Sequence, residues 1–288
     1  MIRSDNHVHS RFSTDSEASM EEIIRQAKQK QLISVCFTDH MDYDFPKEYD
    51  KRETDEPPFV FDPKTYFHAT EELQKTFPDF NIRTGVELGL KKEVLKKALK
   101  LTESYPFDFV IGSTHLVDNI DPYYPEFWEA NGEEQGILRY YESTLENIKA
   151  GFDYDVYGHI DYILRYCPAV KAALKGKHPL DDFYTRTMSK YAEILREILS
   201  LLIKNGKGIE INTAGFKYGL GHPNPHETLI SYYKELGGEL ISIGSDAHTP
   251  GHLGCDFQKI PRLLNATGFS YYTEFHGRKP VQVSLAEL

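Results

Sequence analysis

Imidazole and carboxylate groups recur in this chain at spacings that suit metal chelation. In His7-Val8-His9 the two histidines stand two residues apart, which on a β-strand puts both rings on one side. Asp246-Ala247-His248 repeats that spacing with a carboxylate in the first place. Each pair is a weak signal alone, and a lone buried histidine such as His115 or His159 is ordinarily a hydrogen-bonded core residue. Asp39, His40 and Glu87 add three more groups of the same kind. Together they form a cysteine-free donor set that suits Zn²⁺, Mn²⁺ or Fe²⁺ rather than a thiolate structural zinc site. A carboxylate such as Glu87 can bridge two ions, and two ions about 3.5–4 Å apart can share a hydroxide that attacks phosphorus in line. Hydrolysis is the reaction type these residues favour. The sequence has no G-x-S-x-G nucleophile elbow and no P-loop.

Strand ends are what must bring these groups together. Short β-branched runs at 2–9, 33–39, 82–87, 109–115, 156–159, 208–212 and 240–246 alternate with helical patterns. The metal-type residues close or directly follow six of these runs, all but 208–212. Ser19 and Glu22 predict a capping box, with Met20, Ile23, Ile24 and Ala27 on one helical face behind it. Met188, Tyr191, Ala192, Leu195, Ile198, Leu199 and Leu202 predict one helix over 183–205, closed by Gly206. About seven β-α units predict a parallel, barrel-like α/β fold of one domain over 1–288. In such a barrel the C-terminal strand ends converge on one face, where active sites are built. An open doubly wound sheet is the alternative architecture, but the sequence has no G-x-G-x-x-G. Segments 42–63, with Pro46, Pro57 and Pro58, and 117–136, with Tyr123, Tyr124, Phe127 and Trp128, read as inserted loops. They serve either as covers over a site or as plain surface packing.

Composition narrows the function classes. The 288 residues carry 33 basic and 44 acidic side chains, a formal charge of −11, with 12 histidines and 3 cysteines. At 40% hydrophobic and 13% aromatic the chain is globular in composition, with enough length for a sizeable core. No apolar run approaches the roughly 20 residues that span a bilayer. The start, Met1-Ile2-Arg3-Ser4-Asp5-Asn6, has no apolar h-region, so a cytoplasmic protein without membrane contact is expected. Cys36, Cys167 and Cys255 are odd in number and far apart, against a disulfide framework. The acid excess also disfavours a nucleic-acid partner.

Taken in order, His7-Val8-His9-Ser10, Thr38-Asp39-His40, Gly85-Val86-Glu87, Ser113-Thr114-His115, Gly158-His159 and Ser245-Asp246-Ala247-His248 resemble the motifs of the PHP (polymerase and histidinol phosphatase) superfamily. The resemblance implies a distorted (β/α)7 TIM-like barrel with a trinuclear metal site at the C-terminal ends of the strands. It implies a first metal held by His7, His9, Glu87 and Asp246, and a second by Glu87 as bridge with His115 and His159. A third falls to Asp15, His40 and His248. Some members have histidine where this chain has Asp15, which also fits an exposed turn carboxylate. The runs Thr38-Asp39-His40-Met41-Asp42, Gly158 to Tyr166, and Glu210 to Lys217 resemble the stand-alone histidinol-phosphate phosphatases of histidine biosynthesis. That implies a phosphomonoesterase converting L-histidinol phosphate and water to L-histidinol and phosphate, with three divalent ions (Zn, Mn or Fe) and a small phosphorylated substrate.

On that reading the phosphate meets the metals, a bridging hydroxide attacks phosphorus, and Arg165 and Lys217 neutralise the remaining charge. Asp246 and His248 count among the catalytic groups. Arg165 is otherwise a surface cation after the fifth strand. Relatives are expected to carry arginine at 217 more often, and lysine lacks its bidentate fork. Glu210 and Asn212 meet the substrate's imidazole and amine, or hydrogen-bond within the barrel core. Asp42 binds the cationic amine or backs an imidazole. His222 is a candidate general acid or a solvated loop histidine. Three divalent ions against Asp15, Glu87 and Asp246 would leave the pocket at about +3, so the overall acidity does not oppose a phosphate substrate. The competing functions are a PHP phosphoesterase for a nucleotide, an oligonucleotide end or phosphotyrosine, and a non-catalytic metal-binding module. An amidohydrolase-type deacylase would more typically show a lysine bridge.

Overall fold

β-Branched runs buried on both faces favour a parallel sheet covered by helices, and that is the architecture found. The computed structural model describes residues 2–50, 52 and 54–287, so Lys51 and Glu53 of the 42–63 segment lie outside it. Strands β1 (Ser4–Val8), β2 (Ser34–Phe37), β3 (His40–Met41), β4 (Asn81–Gly89), β5 (Phe109–Ser113), β6 (Val156–Tyr157), β7 (Gly208–Asn212) and β8 (Ile241–Gly244) form one sheet. Seven run parallel in the order β1-β2-β4-β5-β6-β7-β8, and β3 pairs with β4 beyond the end of β2. A parallel bridge from Val8 to Ala247, with the His9 amide donating to the Ala247 carbonyl at 2.9 Å, brings β8 back to β1 and nearly closes the barrel. Six of the seven barrel strands lie within the expected runs; β4 overruns its own at both ends.

One irregularity in β1 matters for the site. Its register against β2 shifts between Asp5 and Val8. The bulge lets Asn6 reach Arg83 and the Ile243 carbonyl while the next residue, His7, turns toward Glu210 and Glu87 across the barrel.

Helices pack their apolar faces on the outside of the sheet. Met20–Gln29 begins at the expected capping box and buries Met20, Ile23, Ile24 and Ala27. The helix expected over 183–205 is instead two, Asp181–Lys190 and Ala192–Lys204. They part at Tyr191, whose backbone leaves helical geometry (φ −104°, ψ 19°) while its hydroxyl donates to the Glu134 carbonyl at 2.9 Å. Leu195, Ile198, Leu199 and Leu202 keep the buried face, so apolar spacing gives no sign of the break. Nor is 117–136 all loop: Pro125–Asn131 is a short helix opened by its proline, and it buries Phe127 and Trp128. Strands β9 (Tyr271–His276) and β10 (Lys279–Ser284) form an antiparallel hairpin beneath the barrel, where Phe275 stacks on Phe109 at 5.0 Å. Among the described residues no helix is long and apolar enough to cross a membrane.

Candidate metal centre

The C-terminal strand ends gather the imidazoles around Glu87, which is buried on β4. Its Oε2 lies 3.2 Å from His7 Nε2, 3.5 Å from His9 Nε2 and 3.1 Å from His40 Nδ1. Its Oε1 lies 2.9 Å from His159 Nε2 and 3.1 Å from His115 Nε2. Each oxygen thus addresses a different set of rings, as a bridging carboxylate must. Asp246 Oδ1 faces His9 Nε2 at 3.3 Å, His248 Nδ1 at 3.4 Å and His7 Nε2 at 3.8 Å. Asp15 Oδ2 stands 3.2 Å from His248 Nε2 and 3.9 Å from His40 Nε2. Donor atoms fall into triplets within 4.8 Å of one another: His7–His9–Asp246, Glu87–His115–His159, His9–His40–His248 and His40–Asp42–His115. The third triplet contains His9, with Asp15 at its edge, and the fourth brings in Asp42.

Backbone geometry serves this convergence. Asp246 (φ 53°) and His159 (φ 21°) adopt positive φ, a strain that L-residues with side chains hold only where the surroundings enforce it. Gly244 on β8 carries no side chain because a Cβ there would overlap that of His7.

A second layer of groups fixes which nitrogen each ring presents. His7 Nδ1 donates to Glu210 Oε1 at 2.6 Å and His115 Nδ1 to Asp42 Oδ2 at 2.6 Å. His9 Nδ1 donates to Ser13 Oγ at 2.9 Å, and that hydroxyl donates on to Asp39 Oδ1 at 2.7 Å. In all three the Nε2 lone pair is left facing the cluster. Asp39 is itself held by the amides and hydroxyls of Ser10 and Ser13. Sequence reasoning placed Asp39 at a strand end but missed Ser13, for which no motif exists.

Charges within the cluster sustain one another. Burial opposes an imidazolium at His7, yet Glu210, Glu87 and Asp246 outweigh it and push the pKa well above the ordinary value. Burial, then His248 and His40, push His9 well below it. Burial likewise works against a charged Glu87, but His7, His115 and His40 hold its carboxyl well below the usual range. Such a donor set fits divalent cations: imidazole nitrogens and carboxylate oxygens at chelating separations, no thiolate, and a buried His159 Nδ1 without a hydrogen-bond partner.

The PHP domain model matches residues 5–214. The chain belongs to the PHP family. A relative in Lactococcus lactis subsp. lactis (strain IL1403) named histidinol-phosphatase is 30% identical over 281 residues, covering 97% of this chain and 96% of its own. The crystal structure of histidinol phosphate phosphatase from the same organism, complexed with zinc, L-histidinol and phosphate, superimposes with a TM-score of 0.81 at 29% identity, covering 97% of this chain and 98% of that one. A Listeria monocytogenes structure, 20% identical, shares the fold with a TM-score of 0.71, covering 89% and 99% of the two chains.

Above the PHP cluster opens a cavity of about 570 Å³, roofed by both inserted segments through Phe45, Tyr49 and Phe59 from one and Asp121, Tyr123 and Tyr124 from the other. Arg165 enters it from the 3₁₀ turn Tyr162–Tyr166, held between the rings of Tyr218 (4.1 Å), Tyr166 (4.7 Å) and Tyr162 (5.8 Å). It is a pocket cation, not a surface one. Burial pushes Asp121 up to about 6 although the Tyr123 amide opposes the shift.

Other expected substrate contacts lie elsewhere. Glu210 and Asn212 are buried behind the ligands: Glu210 accepts from His7 and from the His159 amide, and Asn212 donates to Asp246 Oδ2 at 3.2 Å. Their barrel-core role is the one found. Asp42, by contrast, does line the cavity, with Oδ2 accepting from His115 Nδ1 at 2.6 Å. Lys217 stands outside the cavity lining, with Nζ over the Tyr218 ring and 3.5 Å from the Asp246 carbonyl. His222 is neither solvated nor at the pocket. It is buried against Tyr184 and His226, donates Nδ1 to the Pro223 carbonyl at 2.7 Å, and is pushed down to about 4 by burial. It thus stands outside the cavity lining.

Proposed function

We propose that this chain is a metal-dependent phosphomonoesterase that hydrolyses L-histidinol phosphate to L-histidinol and phosphate in histidine biosynthesis, acting as one catalytic domain in the cytoplasm. The observation that carries this reading is Arg165. Its guanidinium is set in the cavity beside the histidine–carboxylate cluster, makes no ion pair among the described residues, and has a buried Nε without a partner. A half-buried cation with no carboxylate partner among the described residues suits an anionic ligand, and the planar fork suits phosphate. The name of the Lactococcus relative and the L-histidinol and phosphate bound in its structure supply the substrate.

Three divalent ions fit the donor groups: His7, His9, Glu87 and Asp246 for one, Glu87, His115 and His159 for the next, and His40, His248 and Asp15 for the last. Ions there supply Lewis acidity toward the phosphoryl oxygens and a lowered pKa for water. The chain's own residues do the rest. Arg165 binds and orients the phosphate against the cluster. Glu210, Asp42 and the Ser13–Asp39 pair keep the imidazoles in the tautomer that presents Nε2. Asp246 and His248, which would hold metal, line the same cavity as Arg165 and so would face the ester. Phe45, Tyr49, Phe59 and Tyr124 line the cavity with aromatic faces.

Phosphate release from L-histidinol phosphate, a nucleoside monophosphate and phosphotyrosine, by protein loaded with Zn²⁺ or Mn²⁺, tests the reading. The expected result is a kcat/KM for L-histidinol phosphate well above the other two. A higher value for a nucleotide or for phosphotyrosine overturns it.

A further inference from the structure

Of the carboxylates that line the cavity, Asp121 alone makes no ion pair with a described residue, whereas Asp42 is tied to the cluster. Asp42 Oδ2 accepts from His115 Nδ1, and its Oδ1, without a hydrogen-bond partner, faces His40 Nδ1 at 3.7 Å as an ion pair. Asp121 lines the same cavity, yet it makes no ion pair among the described residues. Its Oδ1 accepts the Tyr123 amide at 2.8 Å, and its Oδ2 has no hydrogen-bond partner among them. Resting on the function proposed above, we infer that Asp121 selects phosphomonoesters that carry an ammonium group on the carbon next to the esterified one, as L-histidinol phosphate does.

Charge, position and rigidity converge on this role. Arg165 and Asp121 both line the cavity without an ion-pair partner among the described residues, which matches an ester whose phosphate and ammonium groups sit on adjacent carbons. Asp121 follows the metal-type residue His115 by six positions along one connection, so its place relative to the cluster is set by a short tether. That tether is stiff. Val117 and Ile120 exchange both backbone hydrogen bonds at 2.9 Å around Asp118 and Asn119, which take the positive φ of a tight turn (51° and 65°). Arg139 forks onto Asp118 at 2.8 and 2.7 Å. On the other side Trp128 Nε1 donates to the Pro122 carbonyl at 2.8 Å. A carboxylate fixed on both flanks loses little freedom on meeting a ligand cation. Beside it Tyr49 and Tyr124 stack at 4.3 Å, offering aromatic faces to the rest of the molecule.

The test compares L-histidinol phosphate with its des-amino analogue, 3-(imidazol-4-yl)propyl phosphate, in the metal-loaded wild type, Asp121→Asn and Asp121→Glu. Wild type is expected to prefer the amine-bearing ester. Asp121→Asn should lose roughly 10- to 100-fold in kcat/KM on that ester, mainly through KM, and stay within twofold on the des-amino ester. Metal content should be unchanged, and Asp121→Glu should recover part of the preference. Equal loss on both esters, or loss on neither, overturns the inference. Wild type that turns over neither imidazole ester better than phosphotyrosine or a nucleotide defeats the histidinol reading instead. The same ratio read on O-phosphoethanolamine against ethyl phosphate then decides Asp121 on its own.

Discussion

Both ends of the barrel bury charge, and they complete it in opposite ways. At the floor, buried Arg83 donates to Ser4 Oγ (2.9 Å), Asn6 Oδ1 (2.6 Å), Ser34 Oγ (3.2 Å) and the Phe275 carbonyl (3.1 Å), with Glu274 at 4.0 Å. Every one of those partners belongs to the protein. At the mouth, Glu87 and Asp246 face six imidazoles between them, and His159 Nδ1 and Arg165 Nε have no hydrogen-bond partner among the described residues. Buried polar groups in native structures are overwhelmingly paired. Burial is therefore shared by the two ends, and satisfaction is what separates them: the floor is finished by the fold, while the mouth is left for ligands, which on the function proposed above are ions and phosphate.

Substitutions at the two ends should separate accordingly. Glu87→Gln removes the central bridge and should cost at least about 10³-fold in kcat/KM with loss of bound metal, measured by phosphate release and elemental analysis. Arg165→Ala should lower kcat/KM by about 10²- to 10³-fold with metal content retained; an unchanged value would remove Arg165 from phosphate binding. Arg83→Met strips the floor of its donor and should cost about 3 kcal/mol of stability in chemical denaturation, with metal content and the activity of the folded enzyme intact. Ser13→Ala, the mildest, should weaken metal affinity about 10- to 100-fold in a chelator titration, since His9 then loses the group that sets its tautomer. If Arg83→Met proved to release metal, the separation between the ends would fail.

Much of the mouth was legible in the sequence, because strands must end somewhere and metal-type residues at those ends have little else to do. His7, His9, His40, Glu87, His115, His159, Asp246 and His248 needed only the strand count to be brought to one face. What stayed hidden depends on local backbone events or on partners distant in sequence. The bulge that turns His7 inward has no residue signature. The break at Tyr191 is masked because the apolar spacing runs through it. Ser13 backs His9 only because Asp39, from the next strand, comes within reach. The hairpin at 271–284 does show alternation, and Gly277-Arg278 marks its turn, a signal available but unread. Arg83 was invisible as a floor residue, since an arginine in a β-branched run reads the same whether its partners wait inside the barrel or in water.

The most direct test of the account is metal stoichiometry and thermal stability of the wild-type protein before and after exhaustive chelation. The account predicts about three divalent ions per chain, a fall in Tm of roughly 10 °C when they are removed, and loss of phosphate release that returns on reloading. A chelated protein that keeps its Tm and its full rate on L-histidinol phosphate would contradict it.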